Sequence, residues 1–250
     1  HDCYSQLQQI ACPTLIIAGS RDQIVGAEAS REIASQIVGS QLYIYEDLGH
    51  GLYEEAKDFS QRILSFLTSS MKKIAVIVYP HFSLYEVTCL TEALMWFESP
   101  VEIFASSREP VRSEDGFLIT PDKTLDEFSA GDYACVVLPG MMIPFPALFD
   151  RKLIDFLASL KGKELLIAAI SAGPMLLAKA GLLEDVHFTS GIWEEICQNL
   201  DFIPHQNILH RPLVKEKNII TAVGFAFREF AEEVIRTLGI DPCEPGLFRG

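Results

Sequence analysis

The chain has 250 residues, 49% of them hydrophobic, so it holds one large domain or one medium domain with an appendage and has ample material for a core. Its 34 acidic against 20 basic residues give a net charge of −14 with no offsetting Lys/Arg cluster, which argues against nucleic acid or an anionic membrane surface as a partner. No apolar run is long enough to span a bilayer, and no signal-like stretch is read at the start. The six cysteines are scattered without a C-x-x-C pair, so buried free thiols and a cytoplasmic setting are expected. No His/Cys/Glu set has metal-ligand spacing and no phosphate-binding glycine loop occurs, so neither metal nor cofactor is expected. The first Met is Met71, at a composition boundary, which reads as a trimmed longer protein or a fusion joined near Thr68–Lys73.

Residues 1–70 read as strand (14–18), helix (27–37), strand (41–46) and helix (53–67), a βαβα segment with two parallel strands. The stretches CPTLIIAGSRDQIV and LYIYEDLGHGLYEEAKDFSQRILSFL resemble the C-terminal part of an α/β-hydrolase. That resemblance implies Asp22 as the acid and His50 as the base. The serine-bearing part that the family places upstream is expected to be missing, so the pair is read as a remnant.

From Met71 onward, strands alternate with helices: strand 72–79, helix 85–97, strand 101–105, an extended piece 116–120 and a short helix starting at 124–127. Strand 132–138, helix 147–160, the run ELLIAAISAGPMLLAKAGLL, an irregular segment 184–212, strand 218–221 and helix 227–238 follow. Such alternation predicts a doubly wound, mostly parallel α/β sheet with its crevice at the carboxyl ends of the strands. In ELLIAAISAGPMLL an unbroken apolar run, Leu165 to Ile170, turns straight into a helix on small residues, with Pro174 in the first helical turn. Ser171 therefore stands on a strained turn at the sheet edge, beside free helix N-terminal N–H groups. That geometry suits a nucleophile, and it also fits a plain tight turn that carries a serine.

KKIAVIVYPHFSLYEVTCLTEAL, DYACVVLPG and AAISAGPMLLAKAGLL together resemble the ThiJ/PfpI family of the class I glutamine-amidotransferase-like superfamily, over about Met71 to Ile240. The resemblance implies a flavodoxin-like fold, a homodimer, and a small-molecule substrate or ligand. By position it also implies Ser171 as nucleophile, Glu86 as its hydrogen-bonding partner, and the Gly140 and Ala172 N–H groups as oxyanion donors.

Three departures stand out. The elbow carries Ser171 where the family has cysteine. Ser190-Gly191 falls where a histidine often stands, leaving His187, His205 and His210 as the nearby imidazoles. Met141 replaces a glycine and is expected to crowd the pocket mouth. A thiol at a helix N-terminus can ionise near neutral pH, whereas a hydroxyl needs a base. The readings left open are a hydrolase or lyase acting on a carbonyl or amide compound, a catalytically silent ligand-binding or interaction protein, and an engineered Cys-to-Ser variant of a thiol enzyme.

Overall fold

A computed structural model describes residues 4–10, 12–70, 72–191 and 200–240. Its contacts divide the chain into two compact units that meet in sequence at Met71 and Lys72. Residues 192–199 of the irregular region expected over 184–212 lie outside the described residues.

In the first unit, β1 (Leu15–Gly19) pairs in parallel with β2 (Gln41–Tyr45), and α1 (Ala27–Gln36) makes the crossover between them. The helix expected over 53–67 is broken into α2 (Leu52–Glu55) and α3 (Phe59–Ser70). One side chain explains much of the packing at the break. Asp58, just before α3, accepts from the Tyr45 hydroxyl at 2.9 Å and from Arg62 at 2.8 Å, which ties the helix start to the end of β2.

The second unit is built on a seven-stranded sheet in the order β10–β11–β9–β8–β3–β4–β7. Its strands are β3 (Lys73–Ile77), β4 (Val101–Ala105), β7 (Lys123–Thr124), β8 (Tyr133–Leu138), β9 (Leu166–Ile170), β10 (Leu213–Glu216) and β11 (Ile219–Ala222). All pairings are parallel except β10 with β11. Every residue of β9 is buried, the mark of a central strand covered on both faces. The helices form two groups. α4 (Tyr85–Trp96) packs on α8 (Phe227–Thr237), while α5 (Phe145–Leu148) and α6 (Arg151–Ser159) pack on α7 (Gly173–Lys179). α8 buries Phe230, Ala231, Val234 and Ile235 along one stripe, as an amphipathic helix on a sheet must.

Three local details correct or extend what the sequence predicts. The helix read over 147–160 is two pieces, because Asp150 ends α5 and caps α6 through its side chain, which accepts from the Leu153 N–H at 3.1 Å. The extended piece near 116–120 is one arm of a small hairpin, β5 (Val111–Arg112) with β6 (Leu118–Ile119). The antiparallel edge strand β10 lies just past the irregular segment read over 184–212, in residues for which no element is predicted, since LVKE has only one buried side chain and so carries no period. Of the cysteines described, Cys135 is buried, Cys89 half-buried and Cys12 exposed, so burial of the free thiols holds for one of the three.

Candidate functional site

Ser171 leaves β9 with φ +59°, in the left-handed region where a non-glycine residue costs about 1–2 kcal/mol. Three hydrogen bonds hold it there. Its N–H donates to the Ala222 carbonyl at 2.7 Å, and its carbonyl accepts from the Gly191 N–H at 2.8 Å and the Ser190 hydroxyl at 2.9 Å. Ala172 then serves as the N-terminal cap residue of α7, whose first turn contains Pro174. The first-turn N–H groups of α7 have no intrahelical acceptors, so the elbow faces a set of backbone donors.

Glu86 lies in the first turn of α4, the helix that follows β3, and is only 3% exposed. Its Oε2 accepts the Gly140 N–H at 2.6 Å, and its Oε1 lies 3.5 Å from the Tyr85 hydroxyl. Burial pushes the Glu86 carboxyl above the ordinary glutamate range, and the charge of Glu114 pushes the same way. Hydrogen bonding from Ser171 and Gly140 opposes that rise without cancelling it.

Two glycines make the close approach possible. A Cβ on Gly140 would sit against Glu86 Oε2 and 2.7 Å from Ser171 Oγ. A Cβ on Gly224, just past the end of β11, would lie 2.7 Å from Glu86 Oε1 and 3.2 Å from Ser171 Oγ. Carboxylate and hydroxyl therefore share one small space walled by bare backbone. Gly224 was not singled out in the sequence, and Ser190 and Gly191 were noted only as the pair standing where a histidine often does. Their only signal was a glycine after a strand end and a polar pair where the related family carries histidine.

The structure thus brings Ser171, Ala172, Glu86 and Gly140 together at the carboxyl edge of the sheet, the location expected for a ligand crevice. The role expected of Gly140 does not fit the arrangement. Its N–H is donated to Glu86 instead of standing open to an oxyanion. Among the described residues no histidine hydrogen-bonds Ser171 or Glu86, and His187 is engaged at 2.7 Å with Glu216. Met141 does not crowd a pocket mouth. It is 5% exposed, bridges Phe82 and belongs to the core, while its neighbour Met142 is exposed.

In the first unit, His50 Nδ1 lies 3.0 Å from Asp22 Oδ2, and Asp22 Oδ1 accepts the N–H groups of Ile24 at 2.8 Å and Val25 at 3.1 Å. The His50 bond, followed by the Ile24 N–H, holds the Asp22 carboxyl below its ordinary range. This acid–imidazole pair is formed, with the His50 ring half exposed. The described residues contain no group of three or more His, Cys, Asp or Glu side chains that could hold a metal ion, and no helix among them is long and apolar enough to cross a membrane.

Known proteins with similar chains fall into two sets. A stretch of 123 residues is 35% identical to protein DJ-1alpha of Drosophila melanogaster, and it covers 46% of this chain and 53% of that protein. A 63-residue stretch is 41% identical to the 2-hydroxy-6-oxononadienedioate/2-hydroxy-6-oxononatrienedioate hydrolase of Klebsiella pneumoniae, and it covers 25% of this chain and 22% of that enzyme. The chain therefore spans about half the length of the first relative and about a fifth of the second.

Among solved structures, a DJ-1 superfamily protein from Agrobacterium tumefaciens superposes with a TM-score of 0.62 at 23% identity, covering 69% of this chain and 93% of that one. Drosophila melanogaster DJ-1beta superposes with a TM-score of 0.58 at 27% identity, covering 68% and 92%. These likenesses and the parallel sheet with flanking helices give the second unit a flavodoxin-like α/β fold. Residues 72–237, the span that supplies both the elbow and the buried glutamate, match the DJ-1/PfpI family, and the chain belongs to it.

Proposed function

We propose that the second unit is a DJ-1/PfpI-type enzyme, a hydrolase or lyase acting on a small carbonyl or amide compound, with Ser171 as its nucleophile. The observation that carries the reading is the strained, part-exposed Ser171 sharing one glycine-walled space with the buried carboxyl of Glu86. In the reaction, Glu86 takes the Oγ proton as Oγ attacks the carbonyl carbon, and the C=O electron pair moves onto oxygen. The Ala172 N–H at the start of α7 is the remaining donor for that oxyanion. Collapse expels an amine or alkoxide, which recovers the proton from Glu86, and water then cleaves the acyl ester. A carboxyl with a raised pKa suits this shuttle, because its proton affinity is closer to neutral pH than that of an ordinary glutamate.

The test is covalent labelling by a fluorophosphonate or β-lactone probe, followed by mass spectrometry of the modified peptide. Labelling at Ser171, lost in Ser171→Ala and reduced at least tenfold in Glu86→Gln, supports an active serine enzyme.

A second reading has its own support, since the Gly140 N–H is engaged by Glu86 and no described histidine reaches the site. On that reading the unit is a silent ligand-binding member or a serine variant of a thiol enzyme. Absence of labelling in the parent chain with strong thiol reactivity in Ser171→Cys would select it.

For the first unit we propose a hydrolase-derived βαβα segment. Support comes from the formed Asp22–His50 pair and from the chain's 63-residue similarity to a 2-hydroxy-6-oxononadienedioate/2-hydroxy-6-oxononatrienedioate hydrolase. A homodimer is also proposed, and light scattering of the full chain tests it.

A further inference from the structure

The segment between β3 and α4 grips the loop leaving β8. The Ser83 N–H donates to the Gly140 carbonyl at 2.8 Å, and Phe82 forms an antiparallel bridge with Met141. Two further contacts fall on a single peptide unit. The Tyr79 hydroxyl donates to the Pro139 carbonyl, and the N–H of the same trans peptide, that of Gly140, donates to Glu86 Oε2 at 2.6 Å. Tyr79 is 2% exposed, and Pro139 and Gly140 are buried as well.

We propose that Tyr79 is a positioning residue for Glu86, acting through the Pro139–Gly140 peptide. Donation to an amide oxygen draws electron density along the O=C–N–H unit and makes its N–H a stronger donor. The same bond fixes the rotation of the peptide plane, so the N–H is aimed at the carboxylate and kept away from the space beside Ser171. A tyrosine is suited to this task because its ring is at home in the core while its hydroxyl must find a partner there. Phenylalanine at this position would fill the core equally and leave the Pro139 carbonyl without its donor.

The groups facing Glu86 bound the effect. They are the Tyr85 hydroxyl and Ser171 at its free edge, the Glu114 charge from the hairpin side, and Tyr79 behind the peptide. Tyr79 is the one whose hydrogen bonding reaches the carboxylate through backbone. Burial, with the Glu86 charge adding to it, holds the Tyr79 phenol well above its ordinary range, so it stays a donor throughout the range in which Glu86 titrates.

This inference rests on the reading of Glu86 as the proton partner of Ser171, yet its test needs no turnover. The full chain is labelled with [5-13C]glutamate, the Glu86 carboxyl signal is assigned by its loss in Glu86→Gln, and its titration is followed by NMR. In Tyr79→Phe the carboxylate loses part of its donor's strength, so the midpoint rises by a few tenths of a pH unit. Site-specific 3,5-difluorotyrosine at position 79, a stronger donor of the same shape, moves it down. The fluorotyrosine chain decides alone if Tyr79→Phe does not fold. A midpoint unmoved by either change, or moved in the opposite direction, overturns the proposal. Failure of probe labelling at Ser171 with the titration shifted as stated would instead overturn the functional reading and leave the positioning role standing.

Discussion

The Glu86 carboxylate accepts the Gly140 N–H at 2.6 Å, so this strand-end amide is turned toward a buried acid. The space beside Ser171 is shaped by this contact, because any side chain at Gly140 would displace both the carboxylate and the hydroxyl.

Adding a methyl group at Gly224 should therefore disable the site more than it harms the fold. Its Cβ would stand 2.7 Å from Glu86 Oε1 and 3.2 Å from Ser171 Oγ, inside ordinary contact distance for both. For Gly224→Ala we expect at least a tenfold loss of probe labelling and a stability loss of about 1–3 kcal/mol from overpacking. Gly131→Ala, where a Cβ meets nothing within 4 Å, is the control and should leave both unchanged. Equal effects at the two positions would refute the account.

Stability should respond to Glu86 in the sense opposite to an ordinary surface acid. Its folded carboxyl binds a proton more tightly than the unfolded one, so its contribution is most favourable at low pH and declines as pH rises through the folded midpoint. Glu86→Gln removes that buried charge while keeping an acceptor for the Gly140 N–H. The variant should melt at a higher temperature than the parent at pH 8, and the gap should narrow toward pH 4. Thermal unfolding at the two pH values measures it; a lower melting point at pH 8 would count against the assignment.

Glu102 makes the reverse case. Burial alone would raise its carboxyl, but donation from Lys73 at 2.5 Å, from Tyr133 and from Lys123 at 2.9 Å outweighs it and brings the group to about 2. Its contribution is then present above the ordinary midpoint of 4.5 and is lost as pH falls toward about 2. The lysines are a third or more exposed, so we discount the full shift and expect Glu102→Gln to cost about 1–2 kcal/mol at pH 7. Urea unfolding at pH 7 and pH 3 should show the difference shrinking with acidity.

The elbow itself should be relieved by glycine. Relative to Ser171→Ala, which lacks the hydroxyl as well and so loses the same bond to Glu86, Ser171→Gly removes the left-handed strain but adds freedom to the unfolded chain, for a net gain of about 0.5–1 kcal/mol. Ser190→Ala, which deletes one of the bonds holding the Ser171 carbonyl, should cost about 1 kcal/mol. A melting temperature above that of Ser171→Ala for Ser171→Gly, and below that of the parent for Ser190→Ala, is the expected outcome. If Ser171→Gly melts below Ser171→Ala, the strain is not what the backbone angle implies.

Much of the second unit was legible in the chain because its signals are local. Leu165 to Ile170 is too evenly apolar to be anything but a strand covered on both faces, and SAGP can only turn it sharply into a helix. Those features, with Glu86 and Gly140 implied by the family resemblance, named the candidate residues by number. The break at Asp150 and the edge strand β10 were not legible. A capping side chain and a single buried valine leave no period to read.

The sequence by itself determined that Ser171, Glu86, Gly140 and Ala172 sit at strand ends and helix starts, because buried parallel strands and small-residue turns follow from apolar runs and glycine alone. Only the tertiary structure decided what these groups do to one another. The direction of the Gly140 N–H, the removal of Met141 into the core and the approach of Gly224 and Ser190 depend on partners 54, 59, 53 and 19 residues away in the chain. Hydrogen-bond direction is set by the peptide plane, and that plane is fixed by packing between strands that no local pattern encodes.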